Sequence, residues 1–152
     1  MPSLQTVLIG RQYSPFQRNL RLLFALGILV STFAAYGLGL FAASGGVIFV
    51  PGDATTIGLV AAILIGFEGG GFLFAWLAQF AAYLGFRADW AFLSLSSHDF
   101  PGQVAYFFDP EGLFVDATMA LIFSAVGFGL GYLARWVLGR LRGEESLRDA
   151  AE

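Results

Sequence analysis

The sequence predicts an all-α integral membrane protein with three long transmembrane helices and an aromatic-rich interfacial loop between the second and third. Three observations carry this expectation. The chain runs for 31 residues, Leu22 to Gly52, without an Asp, Glu, Lys, Arg or His, whereas about 20 apolar residues suffice to cross a hydrocarbon core of about 30 Å. Two further apolar stretches of similar quality follow it. Hydrophobic residues make up 57% of the chain and charged residues 12%, against roughly 25% charged in ordinary soluble domains.

The 152 residues form one expected transmembrane domain, long enough for three or four spans and too short to add a soluble catalytic module. All eight basic residues are Arg, and Lys and Cys are absent. Arginine without lysine, with an acidic overall balance, fits a prokaryote of high genomic GC content and hence a multi-pass protein of its plasma membrane. Without cysteine the chain has no disulfides, thiolate metal sites or cysteine nucleophiles. Arg11, Arg18 and Arg21 precede the first apolar run as they would in a signal peptide. That run exceeds the 7 to 15 residues of a signal h-region, so it is read as a retained helix.

Helix one is expected over 16–43, stopped by Ser44, Gly45 and Gly46 before a short extended VIFV piece at 47–50. Helix two opens after Asp53 or Thr55, either of which can cap its first amides, and continues over 56–86. Helix three follows the sequence FDPEG. Asp109 suits its N-cap, Pro110 its first turn, and Glu111 and Asp116 the positive end of its dipole. It is expected over 110–141, with 143–152 as a solvated polar tail. The connection 87–112 carries Trp90, His98, Asp99 and several Phe and Tyr, a composition suited to the headgroup level; Trp136 plays the same part near the end of helix three.

Orientation sets up a conflict. Arg11, Arg18 and Arg21 precede helix one, and Arg135, Arg140 and Arg142 close helix three, so the positive-inside rule places both termini in the cytoplasm. Three spans cannot do that. Either one basic end lies outside, or 90–108 adds a fourth span, or the second segment folds back at Gly69, Gly70 and Gly71. Three spans are preferred, because the alternatives put polar or broken backbone in lipid.

Small residues recur on every expected helix. Helix one carries Gly27, Ser31, Ala35, Gly39 and Ala43 at every fourth position. Helix two carries Gly58, Ala62, Gly66 and Gly70, and helix three Ala120, Ser124, Gly127, Gly131 and Ala134. Such faces let membrane helices approach closely. They either join the three helices to one another or bind another subunit, and on the second reading Gly39→Leu or Gly127→Leu disrupts assembly while leaving insertion intact.

Glu68 is the acidic residue deep within an apolar run, and an intramembrane carboxylate is a functional candidate as an ion ligand or proton carrier. The structural reading, which is preferred, is an ion pair with Arg135, whose long side chain can snorkel toward it, or an interfacial Glu68. His98 beside Asp99 is a weak metal or relay candidate and a better surface residue. Gln79 suits a hydrogen bond across a helix interface. No catalytic triad, zinc motif or phosphate-cradling loop is present, so neither catalytic residues nor a metal or cofactor is expected. The terminal Arg clusters suit lipid headgroups rather than nucleic acid.

The leading expectation is therefore a non-enzymatic protein that works by helix association in the lipid bilayer, as an accessory subunit of a larger membrane complex or as a homo-oligomer. A minimal oligomeric channel or carrier using Glu68 is the alternative.

Overall fold

The computed structural model describes residue 8 and residues 15–41, 50–94 and 99–149. It is all-helical, with no strand among the described residues. Helix α1 is Pro15–Gly37, α2 Gly52–Glu68, α3 Phe72–Asp89, α4 Phe100–Phe107 and α5 Pro110–Asp149, with a π-helical turn at Trp90–Ser94 between α3 and α4. Two stretches, Asn19–Gly37 and Phe100–Leu141, each contain an 18-residue window long and apolar enough to cross a membrane, with window mean hydropathy 1.7 and 1.9.

The segment expected as one helix over 56–86 is two. Gly69 adopts φ 76° and ψ 30°, a left-handed conformation that glycine takes without steric cost. Its amide and that of Gly70 donate to the carbonyls of Gly66 and Ile65 at 3.1 and 2.7 Å, closing α2 as helix C-termini commonly close. Gly71 then caps α3 in extended conformation. The two helices lie antiparallel: the Thr55 and Tyr83 hydroxyls are 3.1 Å apart, and Gly58 faces the Gln79 side chain. Gly69→Ala should cost about 1–2 kcal/mol through the left-handed backbone alone, readable as a lowered unfolding midpoint in mixed micelles.

Other boundaries differ from expectation for local reasons. Helix α1 ends at Gly37 rather than near 43, because Gly39 at φ 70° turns the chain while the Leu38 and Leu40 amides bond back to Ala34 and Ala35. Gly39 thus serves as a helix stop. Ala43 and residues 47–49 of the VIFV piece lie outside the described residues. Helix α2 begins at Gly52, without a side-chain cap from Asp53 or Thr55; the Thr55 hydroxyl instead donates to the Pro51 carbonyl at 2.8 Å. Much of the expected interfacial loop is helical, as the last turn of α3, the π-helical turn and α4. Helix α5 runs on to Asp149, through much of the expected tail, whose Glu144, Glu145, Leu147 and Arg148 are good helix formers.

Helix α3 is the centre of the fold, packed against α1, α2 and α5. Its buried face is Ala75, Ala78, Gln79, Ala82 and Tyr83. Helix α1 meets it through Ala25, Ile28, Thr32 and Tyr36, at Gly85, where any Cβ would stand 2.6 Å from the Leu29 carbonyl oxygen. Helices α2 and α5 run parallel to each other, with Gly127 against Leu59 and Ala62 and Gly131 against Ile63 and Phe67. The long helices therefore alternate in direction through α1, α2, α3 and α5. The first turn of α1 and the last turns of α5 lie at the end where α2 turns into α3.

Charge follows this geometry. Residues 22–37, 54–67, 72–86 and 117–134 contain no Asp, Glu, Lys or Arg, and they lie side by side. Arg21 and Arg135 reach the turn glycines at one end, Gly70 and Gly69 respectively, and Asp53, Arg87, Asp89, Asp109 and Asp116 gather at the other. Along α5, Asp116 and Arg135 are separated by about 28 Å.

Candidate functional site

At the acidic end the dominant feature is Arg87, a residue sequence reasoning passed over as a helix terminus. It is 8% exposed. Its Nε donates to the Phe107 carbonyl at 3.1 Å, Nη2 to those of Tyr106 and Asp109 at 3.1 and 3.5 Å, and Nη1 to the Asp116 carboxylate at 3.0 Å. The Asp109 carboxylate lies 3.6 Å from Nη2, and the guanidinium sits 5.1 Å over the Tyr106 ring. Gly112 leaves room for it, since any Cβ there would strike the guanidinium. A guanidinium offers five N–H donors, and here they are largely committed. The cluster fastens the end of α3 to the start of α5 and offers little to a substrate. A sequence signal did exist: Arg87 is the lone basic residue between Arg21 and Arg135, amid acidic neighbours.

Asp109 also accepts from the Gly112 amide at 2.8 Å, the N-cap role its position suggests. Asp116 is a partner of Arg87 rather than only a helix-start charge. Asp99 caps α4, accepting from the Gly102 amide at 3.3 Å, whereas His98 lies outside the described residues. Trp90 is 39% exposed at the π-helical turn, and Trp136 is 49% exposed with the Arg140 guanidinium 4.1 Å over its ring. Among the described residues no group of three or more His, Cys, Asp or Glu could hold a metal ion.

In the bundle interior, Gln79 is fully buried and bonds across the interface, its Nε2 lying 3.5 Å from the Thr55 carbonyl on α2. Trp76 likewise crosses from α3 to α5, donating from Nε1 to the Ala117 carbonyl at 3.0 Å. These contacts set helix register, because buried polar groups seek partners wherever water is absent.

The small residues divide sharply by location. Gly58, Ala62, Gly66, Gly70, Ala120, Ser124, Gly127 and Gly131 are buried, spent on contacts within this chain. Gly127 packs inside this chain against Leu59 and Ala62, so a Gly127→Leu variant perturbs this internal contact as well as any assembly. Ala134 is exposed. On α1, Gly27 and Ser31 are exposed and Ala35 is half-buried, and no atom approaches within 4 Å of where a Gly27 Cβ would stand.

Glu68 does not sit within a continuous helix. It is the exposed last residue of α2, one position before the turn. The expected Glu68–Arg135 pair is not among the ion pairs of the described residues, which join Arg87 to Asp109 and Asp116. The Arg135 guanidinium instead lies against Gly69. Glu68 borders a cavity of about 350 Å³ between α1 and α2, walled by Leu20, Phe24, Leu64 and Ile65 and floored by Phe74, with Arg21 as its other charged residue. The sequence matches no family model, no curated protein and no solved structure.

Proposed function

We propose that the chain is a four-span membrane protein, non-enzymatic, with both termini and the Gly69–Gly71 turn on the cytoplasmic side, working by association with other membrane helices. The observation that carries the association is the outward face of α1. Of the small-residue faces in the sequence, that of α2 and all of that of α5 but Ala134 are consumed inside the fold, while Gly27 and Ser31 are exposed and nothing stands within 4 Å of a Gly27 Cβ.

The four spans rest on length, charge and direction. Helices α2 and α3 have 17 and 18 residues, within the 17 to 25 that span a bilayer, and their uncharged portions align with those of α1 and α5. An even number of spans brings the Arg-rich ends of α1 and α5 to one side, which removes the conflict that three spans create with the positive-inside rule. The Gly69–Gly71 backbone then turns near the membrane surface instead of breaking inside lipid. Glu68 falls at that surface too, which weakens its reading as a mid-membrane ion carrier.

Because the chain has no native cysteine, single-cysteine variants report topology directly. Phe16→Cys and Gly139→Cys should label from the cytoplasmic side, and Leu40→Cys and Ala105→Cys from the opposite one. Labelling of Phe16→Cys and Gly139→Cys from opposite sides overturns the four spans. For the association, the native particle extracted in mild detergent should exceed the mass of one chain, and Gly27→Leu should reduce it to one chain without loss of helicity. A wild-type particle of one chain alone overturns it.

A further inference from the structure

The cavity between α1 and α2 has the chemistry of a lipid site. Both helices pack on α3 and touch each other only marginally, so a groove stays open between them. Leu20, Phe24 and Leu64 on its walls are about half exposed, at 56%, 47% and 52%. Its volume, about 350 Å³, falls in the range of small-molecule sites, which pair apolar walls with a few placed polar groups. Here the polar groups are one cation and one anion. Arg21 is held in place, its guanidinium 5.0 Å over the Phe74 ring, and Glu68 is exposed at the rim. Both stand where the charge-free layer ends.

We infer that this groove binds one phospholipid whose headgroup carries hydrogen-bond donors beyond its phosphate. The Arg21 guanidinium takes the phosphate, as guanidinium groups do through charge-assisted bonds. The Glu68 carboxylate accepts from the headgroup's amine or hydroxyl, and the start of one acyl chain lies between Leu20 and Phe24 on one side and Leu64 and Ile65 on the other. Charge complementarity decides between lipids. A carboxylate beside the phosphate site disfavours a bare anion and rewards a headgroup that brings a donor, while a trimethylated amine has no N–H to give. The inference rests on the four-span placement for setting the turn at headgroup depth.

The test uses the full chain purified in neutral detergent and mixed with equimolar phosphatidylethanolamine, phosphatidylglycerol and phosphatidylcholine of identical acyl chains. Retained lipid is then read by native mass spectrometry. The first two should be retained at least about tenfold over phosphatidylcholine, as one hydrogen bond to a charged group predicts. Glu68→Leu should erase that preference while leaving phosphatidylcholine retention unchanged, and Arg21→Gln should weaken all three. Helicity by circular dichroism checks that both variants are folded. Equal retention of the three lipids by the wild type, or a preference that survives Glu68→Leu, overturns the site. Since the cysteine labelling reads topology independently, equal retention with four-span labelling intact refutes the lipid site and leaves the topology standing.

Discussion

Replacing Arg87 with Leu is expected to destabilise the fold by about 3–5 kcal/mol, the cost of breaking a buried ion pair from one side. Two carboxylates and three carbonyls face this one guanidinium. Once it is gone, Asp116 remains packed between α3 and α5 with no cation to neutralise it. The carbonyls of Tyr106, Phe107 and Asp109 lose the donor that holds the α4–α5 connection against α3. Arg87→Lys should recover only part of the loss. An ammonium keeps the charge but cannot reproduce the planar fork that reaches the Asp116 carboxylate and the Tyr106 and Phe107 carbonyls together. Reversible unfolding in mixed micelles measures both variants, and a loss below about 1 kcal/mol for Arg87→Leu would show that the cluster does not hold α3 to α5.

The sequence carried the helical class and the charge-free runs plainly, because apolar length is a property of the residues themselves. It carried the division of the second run only as one alternative, the fold-back at Gly69, Gly70 and Gly71. The 31 residues 56–86, with Glu68 as their one charge, suit one long helix or two short ones, and the deciding event is a single left-handed glycine after Glu68. The clash with the positive-inside rule is the sequence feature that the proposed four spans would remove. Arg87 was hidden for a different reason. Its partners lie on α5 and on the connection before it, and no local spacing announces an ion pair that depends on how α3 meets α5. Small-residue periodicity had the opposite weakness. The stripes were visible, yet spacing does not say which neighbour a stripe receives, and the structure assigns that of α2 and, Ala134 apart, that of α5 to contacts within this chain.

That assignment leads to the second large effect. Gly131→Leu and Gly66→Leu should each break the α2–α5 contact, at a cost at or above the 1–3 kcal/mol of ordinary overpacking. At Gly131 a Cβ would collide with the Ile63 carbonyl oxygen, and at Gly66 with that of Phe128. Backbone on both sides cannot rotate away as a flexible side chain could, so the helices must separate. Separation would release Ala62, Gly127 and Phe128 together, because these contacts share one seam. Gly129→Leu and Gly139→Leu provide the matched comparison on the same helix, since nothing lies within 4 Å of either position. They should leave the unfolding midpoint within about 0.5 kcal/mol of wild type, as surface substitutions do. If all four substitutions cost the same, leucine propensity or micelle effects would be setting stability, and the parallel packing of α2 on α5 would have no energetic support. If only Gly66 and Gly131 respond, the seam accounts for the fold's preference for glycine there. A Gly27→Leu variant can then be read for assembly alone, since its position lies outside that seam.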